Sequence, residues 1–390
     1  MIRFCCSNRL EALVEALAGT VGAGRTSLFD PVNLVVPNTL VEGFVKQGLA
    51  RRLGIAANVE TRFLRGFLRQ VAADSAPGAT GTTIVDRDLI EGALLGLFHD
   101  LAWLNGADLG PVRDYLQGAD GDALDRKRVQ LAAELAALFD EYAFSRPEML
   151  AAWREGALVP EADQALQRWQ RALWLALHGT RGLFAAKGMV TLPEFFAKTP
   201  AEELRPPRAV HLFGISYVAR LYGSIFETLA QATDLHVYTL SPNNEARASG
   251  PGDSPLDSWA RPGRDNVQLL THLAGGEVDA RFVAPPSGAR APRLATFQAA
   301  VLERRAVSPR SAGSDDDSLT VVPAADPRRE LETIAAEIWS RMRADETLTF
   351  ADFAVVVPAA SAPVYLPLAQ AVFEAASRLP HTIVDLPRPA

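Results

Sequence analysis

Cysteine is nearly missing from this sequence: its 390 residues hold two, Cys5 and Cys6, side by side. Neighbours on a strand point to opposite faces, so no disulfide between them is expected. Two thiols alone make neither a structural zinc site nor an iron–sulfur cluster. Histidine is also scarce, with six scattered copies and no H-x-x-x-H pair, so no metal or other cofactor is expected. No apolar run reaches the length of about 18 residues that a membrane helix needs. The opening MIRFCCSNRL lacks the apolar core of a secretory leader, and a reduced, cytoplasmic setting is expected. Ser216, in GIS, lacks the G-x-S-x-G elbow of a nucleophilic serine. Positive charge is not in excess either. The net charge of −7 argues against a protein that simply coats nucleic acid.

What is present is a packed globular chain, 48% hydrophobic and 22% charged, long enough for two or three domains. Ile2–Cys6 reads as a strand. Asn8 and Glu11 then form a capping-box-like start, and Leu10, Leu13, Val14 and Leu17 line one helix face. Gly19 is expected to stop that helix. A strand at Val32–Val36 and a helix at Leu40–Leu53 follow. From Asp86 to Ala197 the pattern is almost wholly helical, and Trp153, Trp169 and Trp174 are expected in its core. Strands return at Ala209–Gly214 and Asp234–Leu240 with a helix between, which restores a βαβ alternation. Loop-like sequence at 241–258 and 283–318 surrounds helices near 264–274 and 293–305. A second α/β unit is expected from strands at Leu319–Val322, Phe353–Val357 and Thr382–Val384 and helices at Arg328–Arg343 and Tyr365–Ala376. Because the pattern breaks off there, further sequence beyond residue 390 is expected to complete it.

Residues 19–27, GTVGAGRTS, differ from the phosphate-binding loop G-x-x-x-x-G-K-[ST] by Arg25 in place of Lys. Such a loop works because it joins a strand to a helix, so that backbone N–H groups and the helix N-terminus converge on the phosphates. Here the stretch follows a helix and FDPVN follows it, so it reads as a helix-to-strand connection. The correct position, after Ile2–Cys6, reads CCSNRLE, with no glycine and no Lys-Ser/Thr pair. The Mg²⁺-binding carboxylate expected at the end of a later strand is missing too: Val210 to Ala219 contains none. DGDALD (120–125) lacks the glycine and the closing Glu of a calcium loop and reads as a turn before a helix, and SDDDS around Asp315–Asp317 as a solvated linker. Residues 43–70 hold six basic side chains (Lys46, Arg51, Arg52, Arg62, Arg65, Arg69) against Glu60 alone, a local charge of +5. Arg can neutralise phosphates and the interleaved Phe44, Phe63 and Phe67 can stack on bases. Equally, the three rings can be core, and Arg51 and Arg52 can sit at the negative end of their helix.

The stretches SNRLEALVEAL, LGIAAN (53–58), LFDEYAFSRPEMLAAW (138–153), HLFGIS (211–216), SPLDSWARPGRDNVQLL (254–270) and LTFADFAVVVP (348–358) together resemble the N-terminal part of the RecC family, the gamma subunit of exodeoxyribonuclease V. The resemblance implies an α/β fold: an inactivated superfamily I helicase-like (RecA-like, parallel-sheet) domain over 1–85 and 198–282, carrying an all-helical insertion at 86–197. A linker at 283–317 and the start of a second helicase-like domain at 318–390 would follow. It further implies a chain without catalytic activity of its own. That chain would scaffold RecB-like and RecD-like subunits of a RecBCD-type helicase–nuclease, bind single-stranded DNA and scan it for Chi during double-strand break repair and recombination. Thr39, Leu138, Asp140 and Arg146 keep the family's residue at DNA-contact positions; Pro37, Gly43, Phe63 and Arg69 occupy such positions with a different residue, so the same Chi octamer need not be the signal. Asp140 can accept from cytosine and Arg146 can donate to guanine, or both can sit in salt bridges of little energetic consequence. The expected DNA-binding set is therefore Thr39, Arg62, Phe63, Arg65, Arg69, Leu138, Asp140 and Arg146. In SPLDSWARPGRD, Trp259 is expected to pack between domains or meet a partner subunit. Alternatives are an AddB-like helicase–nuclease subunit, an ATP-binding helicase using a displaced Arg25 loop, and a protein-only scaffold.

Overall fold

The computed structural model describes residues 1–25, 27, 29–75, 83–215, 220–243, 261–288, 291–305 and 316–384. Ser216 and Trp259, singled out above, lie outside these residues. The chain divides into two compact units, one formed by Met1–Ala291 and Ala295–Gly313, the other by Pro292–Leu294 and Ser314–Ala390.

The first unit is organised by six parallel strands: β1 (Ile2–Ser7), β2 (Val32–Val35), β3 (Val59–Arg62), β4 (Ala209–Phe213), β5 (Asp234–Leu240) and β6 (Val278–Ala280), in the order β3-β2-β4-β5-β1-β6. Register links Leu34 to His211, Leu212 to Val237, and Tyr238 to Cys5. Buried parallel strands need apolar residues on both sides, and the alternation delivers two separate cores. Cys5, Leu34, Phe213 and Tyr238 face α1 (Leu10–Gly24) and α2 (Thr39–Leu53). Cys6, Phe4, Val35, Leu212 and Val237 face the other way, against α3 (Leu64–Ser75), α11 (Leu192–Lys198), α12 (Arg220–Ala232) and α13 (Arg261–Leu273). The adjacent cysteines thus enter opposite cores and are both free. Burial pushes their thiols up to about 12 and about 11, so neither is a nucleophile near neutrality.

Gly19 does not end α1, which runs on to Gly24. A helical glycine costs only about 1 kcal/mol, and the burial of Val21 beyond it outweighs that. The glycines of GTVGAG are therefore helical rather than a connecting loop.

Eight helices lie between 86 and 198, the first α4 (Arg87–His99) and the last α11. The 25-residue α7 (Gly121–Ser145), α8 (Pro147–Arg154) and α9 (Gln164–His178) pack around Trp153 and Trp174, with Trp169 half-buried beside them. Gln167 is a buried amide with every bond made. Its Oε1 accepts from Trp153 Nε1 and Val159 N, and its Nε2 donates to Val159 O and Ala162 O. The chain leaves and re-enters this helical region side by side, through a parallel bridge between Ile84 and Val190. Asp120 stands before α7, so DGDALD begins a helix.

Helix α14 (Arg293–Glu303) lies mostly in the first unit; in the second, α15 (Pro327–Ala344) packs Leu331, Ala335 and Ile338 on Ala369, Val372 and Phe373. The expected strands at 319–322, 353–357 and 382–384 are not assigned. A ladder requires two runs side by side in register. Among the described residues none of these has such a neighbour, and Val321 and Val356 stay 89% and 87% exposed.

Two outcomes follow for stability. A Cβ on Gly48 would sit 2.5 Å from Cγ1 of buried Val14, whereas one on Gly43, in the same helix, would meet nothing within 4 Å. Val14 has a stiff χ1, so Gly48→Ala is expected to destabilise by about 1–2 kcal/mol after its helix-propensity gain. Gly43→Ala should be neutral or stabilising by up to about 1 kcal/mol; denaturant midpoints decide. Burial also holds His211 and His178 neutral, at about 3 and about 4. Unfolded histidine titrates near 6.5, so below that pH the unfolded chain binds protons that these folded histidines refuse. Stability contributed by each is full above about 6.5 and falls as pH drops toward the folded values, by at most about 1.4 kcal/mol per pH unit per group. Denaturation at pH 7 and pH 5 should show this loss, and His211→Gln should remove about half of the part due to this pair.

Candidate nucleic-acid interface

In open parallel sheets ligands meet the carboxyl ends of the strands, so the loops there carry the functional reading. At the end of β1, Ser7 is fully buried; its Oγ donates to Arg281 O at 2.6 Å and accepts from Arg9 N. Asn8 Nδ2 donates to Val283 O and its Oδ1 accepts from Val283 N, both at 2.9 Å. Where a phosphate loop would present glycines and free N–H groups, two side chains are committed to holding residues 281–283. Arg25 lies far along the chain from this connection, at the end of α1, and its Nε donates to Asp30 O.

The ends of β2 and β3 are built differently. Val36 N donates to Arg62 O, which keeps the two strands together to their last residue. Asn38 caps α2 through Val41 N, and Thr39 opens that helix. Gly214, after β4, has φ 74° and would bring a Cβ to 3.3 Å from Val41 Cγ1. Only glycine suits both demands, and α2 is thereby held close to β4. Thr39, Arg62 and Phe63 so reach one edge of the sheet, with Leu40 52%, Phe44 38% and Phe63 51% exposed. Among the described residues Arg62 pairs only with its exposed neighbour Glu60, at 3.0 Å, a contact of little energy. Of the three interleaved rings, Phe67 alone is core. Arg51 and Arg52 lie in the last turn of α2, where the helix dipole favours them.

The remaining expected residues sit where the helical region meets the sheet, and there the structure makes two of them each other's partners. The Arg65 guanidinium, on α3, pairs with Asp140 and, at 2.6 Å, with Glu141, both on α7. Its Nε donates to Tyr222 Oη of α12 at 3.3 Å, and the group lies 4.6 Å above the Phe144 ring. Burial opposes its charge, but Tyr222, Asp140 and Glu141 outweigh burial and raise its pKa above the usual range. Arg65 and Asp140 thus form a joint between elements. Leu138 is half-buried against the helical core. Arg69 is half-buried, and its Nε has no hydrogen-bond partner among the described residues. Arg146 is exposed between α7 and α8. Sequence reasoning missed Tyr222, which carries no motif, and Glu141, which lies in the quoted LFDEY stretch but was not singled out; both become relevant through Arg65. It also missed Ser7 and Asn8 as the stitch to 281–283.

Among the described residues no cluster of side chains could hold a metal ion, and no helix is long and apolar enough to cross a membrane. Residues 2–304 match the family model described as RecC, N-terminal domain. The chain is similar to the RecBCD enzyme subunit RecC of Escherichia coli (strain K12), 26% identical over 99% of this chain and 39% of that protein. It is likewise 26% identical to the RecBCD enzyme subunit RecC of Mycolicibacterium smegmatis, over 96% of this chain and 35% of that protein. The corresponding subunit of Haemophilus influenzae matches at 24% identity over 61% of this chain and 23% of its own length. The chain therefore spans about two fifths or less of these relatives. With the family model covering most of its residues, the chain belongs to the RecC family.

Proposed function

We propose that the chain is a single-stranded DNA-binding scaffold of a RecBCD-type helicase–nuclease, acting in double-strand break repair and recombination. It scans DNA for a Chi-type signal beside RecB-like and RecD-like subunits and has no catalytic step of its own. The observation that carries this reading is the β2–β3 edge. Exposed Phe44 and Phe63 there can stack on bases, Arg62 can meet a phosphate, and Thr39 can donate from a helix N-terminus. Stacking with backbone neutralisation is how single strands are held without a sequence code. Asp140 and Arg146 are the residues assigned to base reading, with Asp140 oriented by Arg65.

The stitched β1–α1 connection supports the absence of ATP chemistry. We assign the helicase-like domain to 1–85 and 198–282, the helical insertion to 86–197, the linker to 283–317 and the second domain to 318–390. Location in the cytoplasm, where such DNA work is done, belongs to the same proposal.

Phe63→Ala is expected to weaken single-stranded DNA binding by about 1–3 kcal/mol, the worth of one stacked base. Arg62→Ala should weaken it with little sequence preference and lower the salt slope by about 1. Fluorescence anisotropy across a salt series measures both, and unchanged affinity in both variants would remove this edge from the interface. Titration with a fluorescent ATP analogue and Mg²⁺ is expected to give no saturable binding. Binding that is saturable and lost in Arg25→Ala would restore GTVGAGRTS as a phosphate site and overturn the non-catalytic reading.

A further inference from the structure

Strand β3 closes one side of the sheet and has a single strand neighbour, β2. Val32 N donates to Asn58 O and Val36 N to Arg62 O, so residues 58, 60 and 62 turn their backbone groups toward β2. Alternation along a strand then turns the N–H and C=O of Val59 and Thr61 the other way. Among the described residues these four groups have no partner on that side. They form a short ladder edge about 7 Å long. Nothing on β3 blunts it in the usual manner: it has no proline, and its two charges, Glu60 and Arg62, pair with each other.

The amino end of the same edge carries an apolar group. Phe29 is 89%, Ile55 54% and Leu53 36% exposed. Phe29 is held in that position by its backbone. Its N donates to Ser27 Oγ, its O accepts from Asn58 Nδ2 at 2.6 Å, and the flanking Asp30 binds back to Ser27 N through Oδ2. The Asn58 bond also ties the connection before β2 to the connection before β3. A rigidly presented aromatic beside aliphatic neighbours is the usual anchor of a protein interface.

Charge narrows the choice of partner. Glu42 pairs with Lys46, and Glu60 with Arg62. Arg51 and Arg52, exposed next to Leu53, form no ion pair among the described residues, and Arg52 donates only to Glu11 O. The edge therefore has a surplus of cations. A second copy of this chain would bring the same surplus against itself. A nucleic acid offers no backbone that matches alternating N–H and C=O groups, and Leu53 and Ile55 have no ring on which a base stacks. An extended peptide supplies both the main-chain pairing and the side chains.

We infer that the free edge of β3 is a strand-addition site for an extended segment of a protein partner, with acidic residues facing Arg51 and Arg52 and an apolar residue seated on Phe29 and Ile55. It needs no part of the DNA-binding reading, whose Thr39 and Phe63 lie at the carboxyl end of the strands.

The test measures amide hydrogen exchange and affinity for the whole chain with a soluble decapeptide alternating valine and glutamate, with its valine–lysine counterpart, and with oligothymidylate. The glutamate peptide is expected to bind saturably and to slow exchange at Val59 and Thr61 about tenfold or more; the other two probes should not. Thr61→Pro removes one outward donor and leaves those facing β2 in place, and should weaken the peptide roughly tenfold. Phe29→Ala, outside every strand, should weaken it severalfold and serves if the proline unfolds the edge. Reversing both charges, Arg51→Glu with Arg52→Glu, should transfer the preference to the lysine peptide. Absence of saturable binding overturns the site, as does binding that leaves the Val59 and Thr61 amides unprotected. Protection by oligothymidylate in place of the peptide also overturns it and gives this edge to the DNA interface. Loss of oligothymidylate binding altogether, with the peptide still bound, rejects the DNA reading and keeps the strand-addition site.

Discussion

One guanidinium joins the two parts of the larger unit. Arg65 leaves α3 directly after the third strand and reaches across to α7 and α12, where two carboxylates, a phenol and an aromatic face receive it. Arg can serve four such partners because its fork is planar, delocalised and only weakly hydrated. The carboxylates lie one residue apart near the end of α7, so the helix is fixed in position and in rotation about its axis. Leu138, Phe139, Asp140 and Phe144 take their places from that rotation. The disposition of Asp140 thus depends on a residue that a charge count would assign to the DNA backbone. Removing one partner of a half-buried pair leaves the other with unpaired charge, which costs more than the pair itself contributes.

Much of the architecture could be read directly from the residues. Cys5 and Cys6 were expected on opposite faces of a strand, and the structure sends them into two different cores. The helical run from 86 to 197 and the strands around His211 and His236 fell where apolar periodicity placed them. The misses have local causes. Val59–Arg62 and Val278–Ala280 are strands of four and three residues at the sheet's two edges, too short for an alternation and half-exposed. Gly19 carried a stop signal that the packing beyond it overrode. The valine-rich runs of the second unit have strand composition, but composition does not supply a neighbour to pair with.

Side-chain roles were less legible than elements for a related reason. A basic stretch states how much charge is present and not what faces it. Arg62 and Arg65 are three residues apart, yet one pairs weakly at the surface and the other is enclosed by acids from a helix some 75 residues away. Only long-range contacts separate the two. Phe63 and Phe67 divide in the same way, since the first ends a strand at an open edge and the second faces inward from the helix that follows.

The two regions of the sheet's carboxyl edge argue against each other as ligand sites, and their difference bears on what this fold can do. At β1 the connection to α1 is two polar residues long, Asn8 and Arg9, and the side chains of Ser7 and Asn8 already hold residues 281–283. A phosphate cradle there would need glycine for close approach and several N–H groups free to converge. Replacing Arg25 by Lys would change nothing at that point, because the glycines around it are wound into α1. Restoring a nucleotide site would require releasing Ser7 and Asn8 and lengthening the turn, at the cost of the hydrogen bonds that hold the segment following β6. At β2 and β3 the opposite holds: the backbone is paired to the last residue, the turn is fixed by Gly214, and aromatic and cationic side chains remain at the surface. The two regions thus differ in what their side chains do: at β1 they hold the neighbouring segment, and beside β2 and β3 they stay at the surface.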